Sequence, residues 1–159
     1  MPLKLVRVDD RLIHGQVVAV WLRAVGADHI VIVDDKTAQN EFVKEVLTLA
    51  APAGAPVDVL SVADAVPRLQ ELAASESGTF VLLRSPLTAL QLLQAGVAFS
   101  VLNLGGLGAG AGRHQLYRNI SASGEELAAL RSIEALGTRV EIQIVPDDRG
   151  VSFASLDKM

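Results

Sequence analysis

The sequence predicts an α/β protein: an open, mostly parallel β-sheet with helices on both faces. Short apolar segments alternate along the whole chain with longer segments of helical periodicity, which is the pattern of repeated strand–helix–strand units. Half of the 159 residues are hydrophobic and only 20% are charged, as expected when central strands are covered on both faces. The length, with no linker, internal repeat or low-complexity tract, predicts a single domain over residues 1–159.

The first half of the chain contains three strand–helix units. The predicted strands are Leu3–Val8, His29–Asp35 and Val57–Val62, each a run of apolar residues. The predicted helices are Gln16–Val25, Glu41–Ala51 and Asp64–Ala74, each with an apolar stripe at helical spacing. The second helix stops at the turn sequence APAGAP, and Pro67 suits the first turn of the third because no N–H is needed there.

The second half continues the alternation and marks its helix ends more clearly. Strands are predicted over 79–84, 99–106 and 139–146, with a short one over 117–122 after a glycine-rich loop. One helix has Ser85 as N-cap and Pro86 in its first position, and it stops at Gly96. Another is capped by Ser123, with Glu126 placed for a capping box, and runs through Leu136. The tail is weakly patterned.

Composition excludes several classes of protein. The chain has no cysteine, which removes disulfides, thiolate metal sites and cysteine nucleophiles. Mean hydropathy is +0.38, yet no window offers the roughly 18 uninterrupted apolar residues of a spanning helix. The N-terminal residues lack the pattern of a signal peptide, so a cytoplasmic protein is expected. A net charge of −4 argues against general nucleic-acid binding.

The charges are unevenly distributed. Between Glu76 and Glu125 there is no acidic residue, although Arg84, Arg113 and Arg118 lie in that interval. Two interpretations fit: this half supplies the buried strands, or it forms a face kept free of carboxylates because it meets an anion. The interval alone leaves both open.

The predicted fold also indicates where a ligand binds. In open α/β sheets the site lies at the carboxyl ends of the parallel strands. The loops there are Asp9–Gly15, Asp34–Asn40, Arg84–Ser85 and Gly105–Arg113. His14, Arg113 and His114 are therefore candidates for one edge of the sheet.

The first of these loops, DDRLIHGQ, has the residue types of a phosphoryl-transfer site. Backbone N–H groups and the helix dipole near His14 favour an anion and disfavour imidazolium. Gly15 leaves room for an approaching group, and Arg11 offers a fixed positive charge suited to phosphate oxygens. Asp9 or Asp10 can orient the ring or hold Arg11. A histidine that accepts and donates a phosphoryl group fits these parts, but residue types alone favour an ordinary polar loop slightly more.

Three other kinds of site fit less well. The histidines at 14, 29 and 114 are scattered with no metal-binding spacing, so no metal or other cofactor is predicted and His29 is expected to be structural. Gly106, Gly108 and Ala111 match a dinucleotide motif, but no helix is predicted directly after them; a hairpin presenting Arg113 and Arg118 fits better. A receiver domain needs an aspartate after strand three and a lysine after strand five, and both are missing.

With these residues in view, the chain resembles the IIB component of the mannose/fructose/sorbose family of the bacterial phosphotransferase system. RVDDRLIHGQV at 7–17 is similar to the family's active-site signature almost residue for residue. The resemblance continues through IVIVDDKTAQN, LLRSPLTALQLLQAGV, LNLGG, GRHQLYRNISASGEELAAL and VEIQIVP. It covers roughly residues 3 to 155 without a large gap.

This resemblance implies a sugar phosphotransferase. His14 would be the phosphohistidine, Arg11 the phosphate clamp beside it and Asp10 a further catalytic position, with Gly15 and Gln16 completing the phosphate-binding loop. The donor would be a phosphorylated IIA protein. The acceptor would be a sugar, which the sequence does not name, carried by membrane-embedded IIC and IID components.

One segment departs from the family pattern. Residues 107–111 read LGAGA, where the family usually has bulkier or charged residues, which leaves partner docking open. A regulatory phosphohistidine protein without sugar transport is therefore the alternative function. The acid-free interval suggests a further hypothesis, that Arg84 and Arg113 form a basic rim that steers an acidic phosphorylated donor.

Overall fold

A computed structural model describes residues 3–52 and 54–157 of the chain. The strands are β1 (Leu3–Asp9), β2 (His29–Val33), β3 (Val57–Leu60), β4 (Thr79–Leu83), β5 (Val101–Gly106), β6 (His114–Tyr117), β7 (Ile120–Ala122), β8 (Arg139–Ile142) and β9 (Val151–Ser152). The helices are α1 (Val17–Val25), α2 (Asp35–Ala38), α3 (Glu41–Ala50), α4 (Val62–Ala73), α5 (Pro86–Gln94), α6 (Gly124–Ala135) and α7 (Phe153–Leu156).

Seven strands form one sheet in the order β3-β2-β4-β1-β5-β8-β9. Every neighbouring pair is parallel except β8 and β9, which are antiparallel. Strands β6 and β7 form a separate antiparallel hairpin. The predicted mostly parallel sheet is confirmed.

Helices cover the sheet on both faces, as predicted. Helices α4, α5 and α6 pack on one face, and α1 and α3 pack on the other. Strand β4 shows the consequence: Phe80 and Leu82 belong to the core beneath α1 and α3, while Val81 and Leu83 belong to the opposite core. Because both faces are buried, the strand is apolar at every position instead of alternating.

Two predicted strands end early because their last residues begin helices. The side chain of Asp34 accepts a hydrogen bond from the Thr37 backbone and caps the one-turn helix α2, so β2 ends before the acidic pair. Ser61 caps α4 in the same way. Helix α4 therefore starts at Val62, and Pro67 lies in its second turn, not in its first.

The helix caps of the second half are as predicted. The Ser85 side chain accepts from the Leu87 backbone, and Pro86 is the first residue of α5. Ser123 and Glu126 form a complete capping box at the start of α6. These signals are local in sequence, so they can be identified without knowing the tertiary structure.

Two segments near the end of the chain differ from the prediction. The strand predicted over 117–122 is a hairpin whose turn contains Arg118, at φ 44°. The last long strand stops at Ile142, and the carbonyls of the next two residues, Gln143 and Ile144, accept hydrogen bonds from Arg7. The weakly patterned tail contains β9 and α7.

The connections place the loop after β1 where neighbouring strands lead to helices on opposite faces of the sheet. Strand β1 leads to α1 on one face, whereas its neighbours β4 and β5 lead to helices on the opposite face. Where neighbouring strands connect to helices on opposite faces, a crevice opens at the carboxyl ends of these strands. In the part of the chain that the structure describes, no helix is long and apolar enough to cross a membrane.

Candidate functional site

His14 lies in the loop between β1 and α1, with about a quarter of its side chain exposed. Its Nε2 atom is 3.2 Å from Oδ2 of Asp9. The ionised carboxylate can only accept here, so Nε2 is the donor, and in the neutral ring Nδ1 has the lone pair. Among the residues that the structure describes, Nδ1 has no hydrogen-bond partner. The ring is thus fixed at one nitrogen, while the other nitrogen is available for chemistry.

Asp9 is the carboxylate on which the loop converges, and it is 1% exposed. Arg11 donates to it three times: from its backbone N and its Nε to Oδ1, and from its Nη2 to Oδ2, at 3.0–3.1 Å. Burial would raise the pKa of Asp9, but the hydrogen bonds from Arg11 and His14 outweigh burial and lower that pKa below its ordinary value. Asp9 is therefore an ionised acceptor for the imidazole near neutral pH.

A second arginine lies beneath this pair. Arg7 is 1% exposed, its Nη2 is 3.6 Å from Asp9 Oδ2, and it donates to the side chain of Asn103 and the carbonyls of Gln143 and Ile144. Burial lowers the pKa of Arg7 to about 10, so it stays protonated at neutral pH. Its guanidinium compensates the charge of Asp9 where water cannot.

Gly105 and Gly106 at the end of β5 make room for these side chains. A Cβ on Gly105 would lie 2.0 Å from Cζ of Arg7, and one on Gly106 would lie 2.7 Å from Oδ1 of Asp9. Both distances are shorter than any real contact of a methyl group. The glycine pair of LNLGG is therefore required by the buried charges on β1 and not by a turn.

The loop reaches α1 through two residues with positive φ, Leu12 at 56° and Gly15 at 51°. Leu12 is 1% exposed within the core beneath α1, so its burial offsets the cost of a left-handed conformation for a leucine. Gln16 is the N-cap residue of α1, but its side chain makes no capping hydrogen bond. The first backbone N–H groups of α1 thus have no side-chain cap. In α3, α4, α5 and α6, by contrast, a side chain accepts a hydrogen bond from one of these first N–H groups.

Asp10 points away from His14, toward the glycine-rich loop. Its Oδ2 accepts from the backbone N of Gly108 at 2.9 Å and from Nη1 of Arg113 at 3.2 Å. Arg113 also donates to both carboxylate oxygens of Glu126 at 2.8–2.9 Å, and this pairing raises the pKa of Arg113 and helps to lower that of Glu126. Asp10 is therefore not the residue that orients the histidine; Asp9 is.

Arg84 lies on the same edge, about half exposed. Its Nη1 donates to the backbone O of Asp10 at 3.3 Å, and its Nε is 3.7 Å from Asp34 Oδ2. Both predicted rim arginines thus meet carboxylates from other parts of the chain. The acid-free interval in the sequence does not produce an acid-free face, because Asp10, Asp34 and Glu126 fold against it. The interpretation of the interval as a face free of carboxylates is therefore wrong; the steering of a donor by Arg84 and Arg113 stays a prediction.

The structure brings together most of the residues that the sequence singled out. One loop contains Asp10, Arg11, His14, Gly15 and Gln16, and both Arg84 and Arg113 contact it. His114 instead lies exposed on the hairpin, and His29 lies at the opposite end of the sheet. In the described residues, no three His, Asp or Glu side chains converge as metal ligands.

Sequence reasoning missed the roles of Arg7, Asn103, Gly105, Gly106 and Glu126. A signal for Arg7 existed: it interrupts an apolar strand at a position that a two-sided sheet must bury, and a buried arginine needs partners. Glu126 was identified only through its cap. The arrangement as a whole offers an oriented imidazole, a guanidinium and an uncapped helix start, which suit the transfer of a phosphoryl group through histidine.

Comparison with known proteins shows the family to which the chain is similar. Residues 3–158 match the model of the PTS system sorbose subfamily IIB component. The sorbose-specific EIIB component of Klebsiella pneumoniae is 33% identical over 100% of this chain and 96% of its own length. The crystal structure of the IIBSor domain from the same organism superposes with a TM-score of 0.91 at 32% identity, covering 98% of this chain and 95% of that one. The mannose-specific EIIAB component of Escherichia coli is 29% identical over 98% of this chain, which spans 48% of that protein.

These findings identify a sugar phosphotransferase component of the phosphotransferase system. The chain belongs to the sorbose subfamily of IIB components, within the mannose/fructose/sorbose family that the sequence resembles.

Proposed function

We propose that His14 is the phosphohistidine of this IIB component and that Nδ1 is the atom that carries the phosphoryl group. The observation that supports this most strongly is the contact between His14 Nε2 and Asp9, which leaves the lone pair of Nδ1 free. His14 would accept the group from a phosphorylated IIA protein. It would then pass it to a sugar carried by the membrane IIC and IID components.

The transfer needs no net movement of a proton. The Nδ1 lone pair of His14 forms the new bond to phosphorus while the P–N bond to the donor histidine breaks, and the donor leaves as neutral imidazole. The ring of His14 gains positive charge in this step while Nε2 keeps its proton. The ionised Asp9 stabilises that charge.

The oxygens of the phosphoryl group need donors of their own. Arg11 uses Nε and Nη2 for Asp9, and within residues 3–52 and 54–157 its Nη1 has no acceptor. About half of its side chain is exposed, so Nη1 is placed to bind a phosphoryl oxygen. The uncapped start of α1, reached through Gly15 and Gln16, adds backbone N–H groups and the favourable end of the helix dipole.

The proposed partners follow from the family and the relatives. The mannose-specific EIIAB component is about twice the length of this chain, and its name joins a IIA to a IIB unit, which supports IIA as the donor. We propose that residues 1–159 act as one IIB domain, since the family match spans 3–158 and both ends of the chain contribute to one sheet. Its place of action would be the cytoplasm, at the membrane transporter.

The test is transfer of labelled phosphate from phosphoenolpyruvate through the general phosphotransferase proteins and a IIA protein. The wild-type chain should acquire one label that is labile to acid and stable to base, and His14→Ala should acquire none. Phosphorus NMR should place the group on Nδ1. Label that persists in His14→Ala would contradict the assignment, and label on Nε2 would contradict the role of Asp9.

The regulatory alternative shares this site, so the same labelling cannot separate the two functions. Membranes containing the sorbose-type IIC and IID components should discharge the label to sugar if the chain supports transport. If the label stays on the protein with several sugars present, the regulatory function is favoured.

A further inference from the structure

Asp10 is fixed at four points by groups outside its own loop. Its backbone N donates to Gly106 O at 3.0 Å and its backbone O accepts from Arg84. Its Oδ2 accepts from Gly108 N and from Nη1 of Arg113. Both backbone groups and the side chain of Asp10 are therefore held from outside the loop.

One of the side-chain contacts of Asp10, the one with Arg113, connects it to the first turn of α6. Glu126 is 6% exposed and is itself held by the Ser123 backbone N at 2.9 Å. Arg113 is bound to Glu126 through Nε and Nη2, and its Nη1 also donates to Gly108 O at 2.8 Å. Arg113 thus connects a rigid helix start to Asp10, and most of its donors are used inside the protein.

Asp10 stands between Asp9, which holds His14, and Arg11, which holds Asp9. Asp9 precedes it and accepts from the imidazole, and Arg11 follows it and binds Asp9 on both oxygens. The loop then turns through Leu12 in its left-handed conformation, which persists only where the surroundings hold it. A small rotation at Asp10 would therefore displace both Asp9, which orients the ring, and Arg11, which holds Asp9.

We propose that Glu126 is a positioning residue for phosphoryl transfer, acting through Arg113 and Asp10 to hold Asp9 and Arg11 in place around His14. We name these three residues the Glu126–Arg113–Asp10 clamp. The inference rests on the proposed function of His14, and it gives Arg113 an internal role in place of steering the donor.

The two roles of Arg113 predict different kinetic effects of Glu126→Gln. If Arg113 steered an acidic donor, Glu126→Gln would unmask its charge and lower the KM for phospho-IIA, while Arg113→Met would raise it. If Arg113 belongs to the clamp, both substitutions should lower the maximal transfer rate and leave the KM unchanged. Glu126→Gln keeps an oxygen for the Ser123 cap, so the start of α6 is retained.

A small donor without a protein surface separates positioning from docking. In phosphoramidate the P–N bond breaks as Nδ1 of His14 binds phosphorus, and the protonated nitrogen leaves as ammonia. With saturating phosphoramidate, Glu126→Gln and Arg113→Met should each lower the rate of His14 phosphorylation by roughly 10- to 100-fold, as displacement of reacting groups does. The double variant should be no slower than the worse single one.

Arg131→Met is the matched control. Arg131 lies on α6, as Glu126 does, and binds both carboxylate oxygens of Asp157, but it lies away from the loop. It should phosphorylate at the wild-type rate, and urea unfolding should show all variants folded under the assay conditions. If Glu126→Gln fails to fold, Arg113→Lys replaces it, because one ammonium cannot bridge both carboxylates. Wild-type rates with phosphoramidate in the clamp variants would overturn the clamp alone, whereas an unlabelled His14 in the wild type would overturn the proposed function.

Discussion

The molecule contains two histidine–aspartate pairs with nearly the same geometry at opposite ends of its sheet. His14 Nε2 is 3.2 Å from Asp9 Oδ2, and His29 Nε2 is 3.1 Å from Asp58 Oδ2. Asp9 is buried and bound by Arg11, whereas Asp58 is 44% exposed and its nearest arginine, Arg68, is 4.0 Å away. The pair itself does not define a site; the buried charges around it and its position at the carboxyl ends of the strands do.

The largest expected difference between the pairs is in the rate of phosphorylation. Asp9→Asn should slow labelling of His14 by about 100-fold or more, because it removes the charge that stabilises the developing imidazolium. Asp58→Asn should stay within about two-fold of the wild type. Rates from phospho-IIA and from phosphoramidate are the measurement. Equal effects of the two substitutions would remove the distinction between the pairs.

The packing behind the first pair gives the next prediction. Gly106→Ala would place a methyl group against Asp9 and Arg11, so it should lower stability by about 1–3 kcal/mol and slow His14 labelling. Gly124→Ala is the control, since its Cβ would have no neighbour within 4 Å. Urea unfolding and the labelling rate check both effects, and a fully active Gly106→Ala would show that Asp9 tolerates displacement.

The depressed pKa of Asp9 has a consequence in acid. Its ionised form stabilises the folded state fully above the unfolded pKa of about 4, and this contribution is lost as the pH falls through the lower folded pKa. The free energy of unfolding of the wild type should therefore decrease below about pH 4. Asp9→Asn should be less stable at neutral pH and show a shallower decrease in acid. An unchanged slope would mean that Asp9 is not the group that titrates.

The smallest effect is expected at His29. Its partner is half exposed, so His29→Gln should change the free energy of unfolding by no more than about 1 kcal/mol at neutral pH. Label incorporation should stay at one phosphoryl group per chain with an unchanged rate. A fall in incorporation would show that His29 takes part in the labelling, contrary to the assignment of the phosphoryl group to His14 alone.

The sequence was most informative where structure is local. The N-caps at Ser85 and Ser123 and the apolar strands could be predicted, because each depends on a few consecutive residues. The β1–α1 loop could also be placed at the functional edge, since strand–helix alternation fixes which ends of the strands meet.

The contacts that complete the site join distant parts of the chain, and local patterns do not encode them. Arg7 binds Asn103 and Asp10 binds Arg113, across about a hundred residues in each case. The acid-free interval could not be interpreted from the sequence for the same reason: charge distribution along the chain does not say which carboxylates fold against a segment. Asp34 and Ser61 were assigned to strands because a cap after a short apolar run resembles a strand end.

The indole of Trp21, the only tryptophan in the chain, lies under the guanidinium of Arg7, 5.2 Å from its ring centre to Cζ, and donates to Ile144 O. Arg7 in turn contacts Asp9, which contacts His14. Indole emission responds to nearby charge, so a phosphoryl group on His14 should change the fluorescence of Trp21. On the proposed function of His14, Trp21 would serve as an intrinsic optical reporter, and we expect its emission to follow the charging and discharging of the histidine in real time without a label.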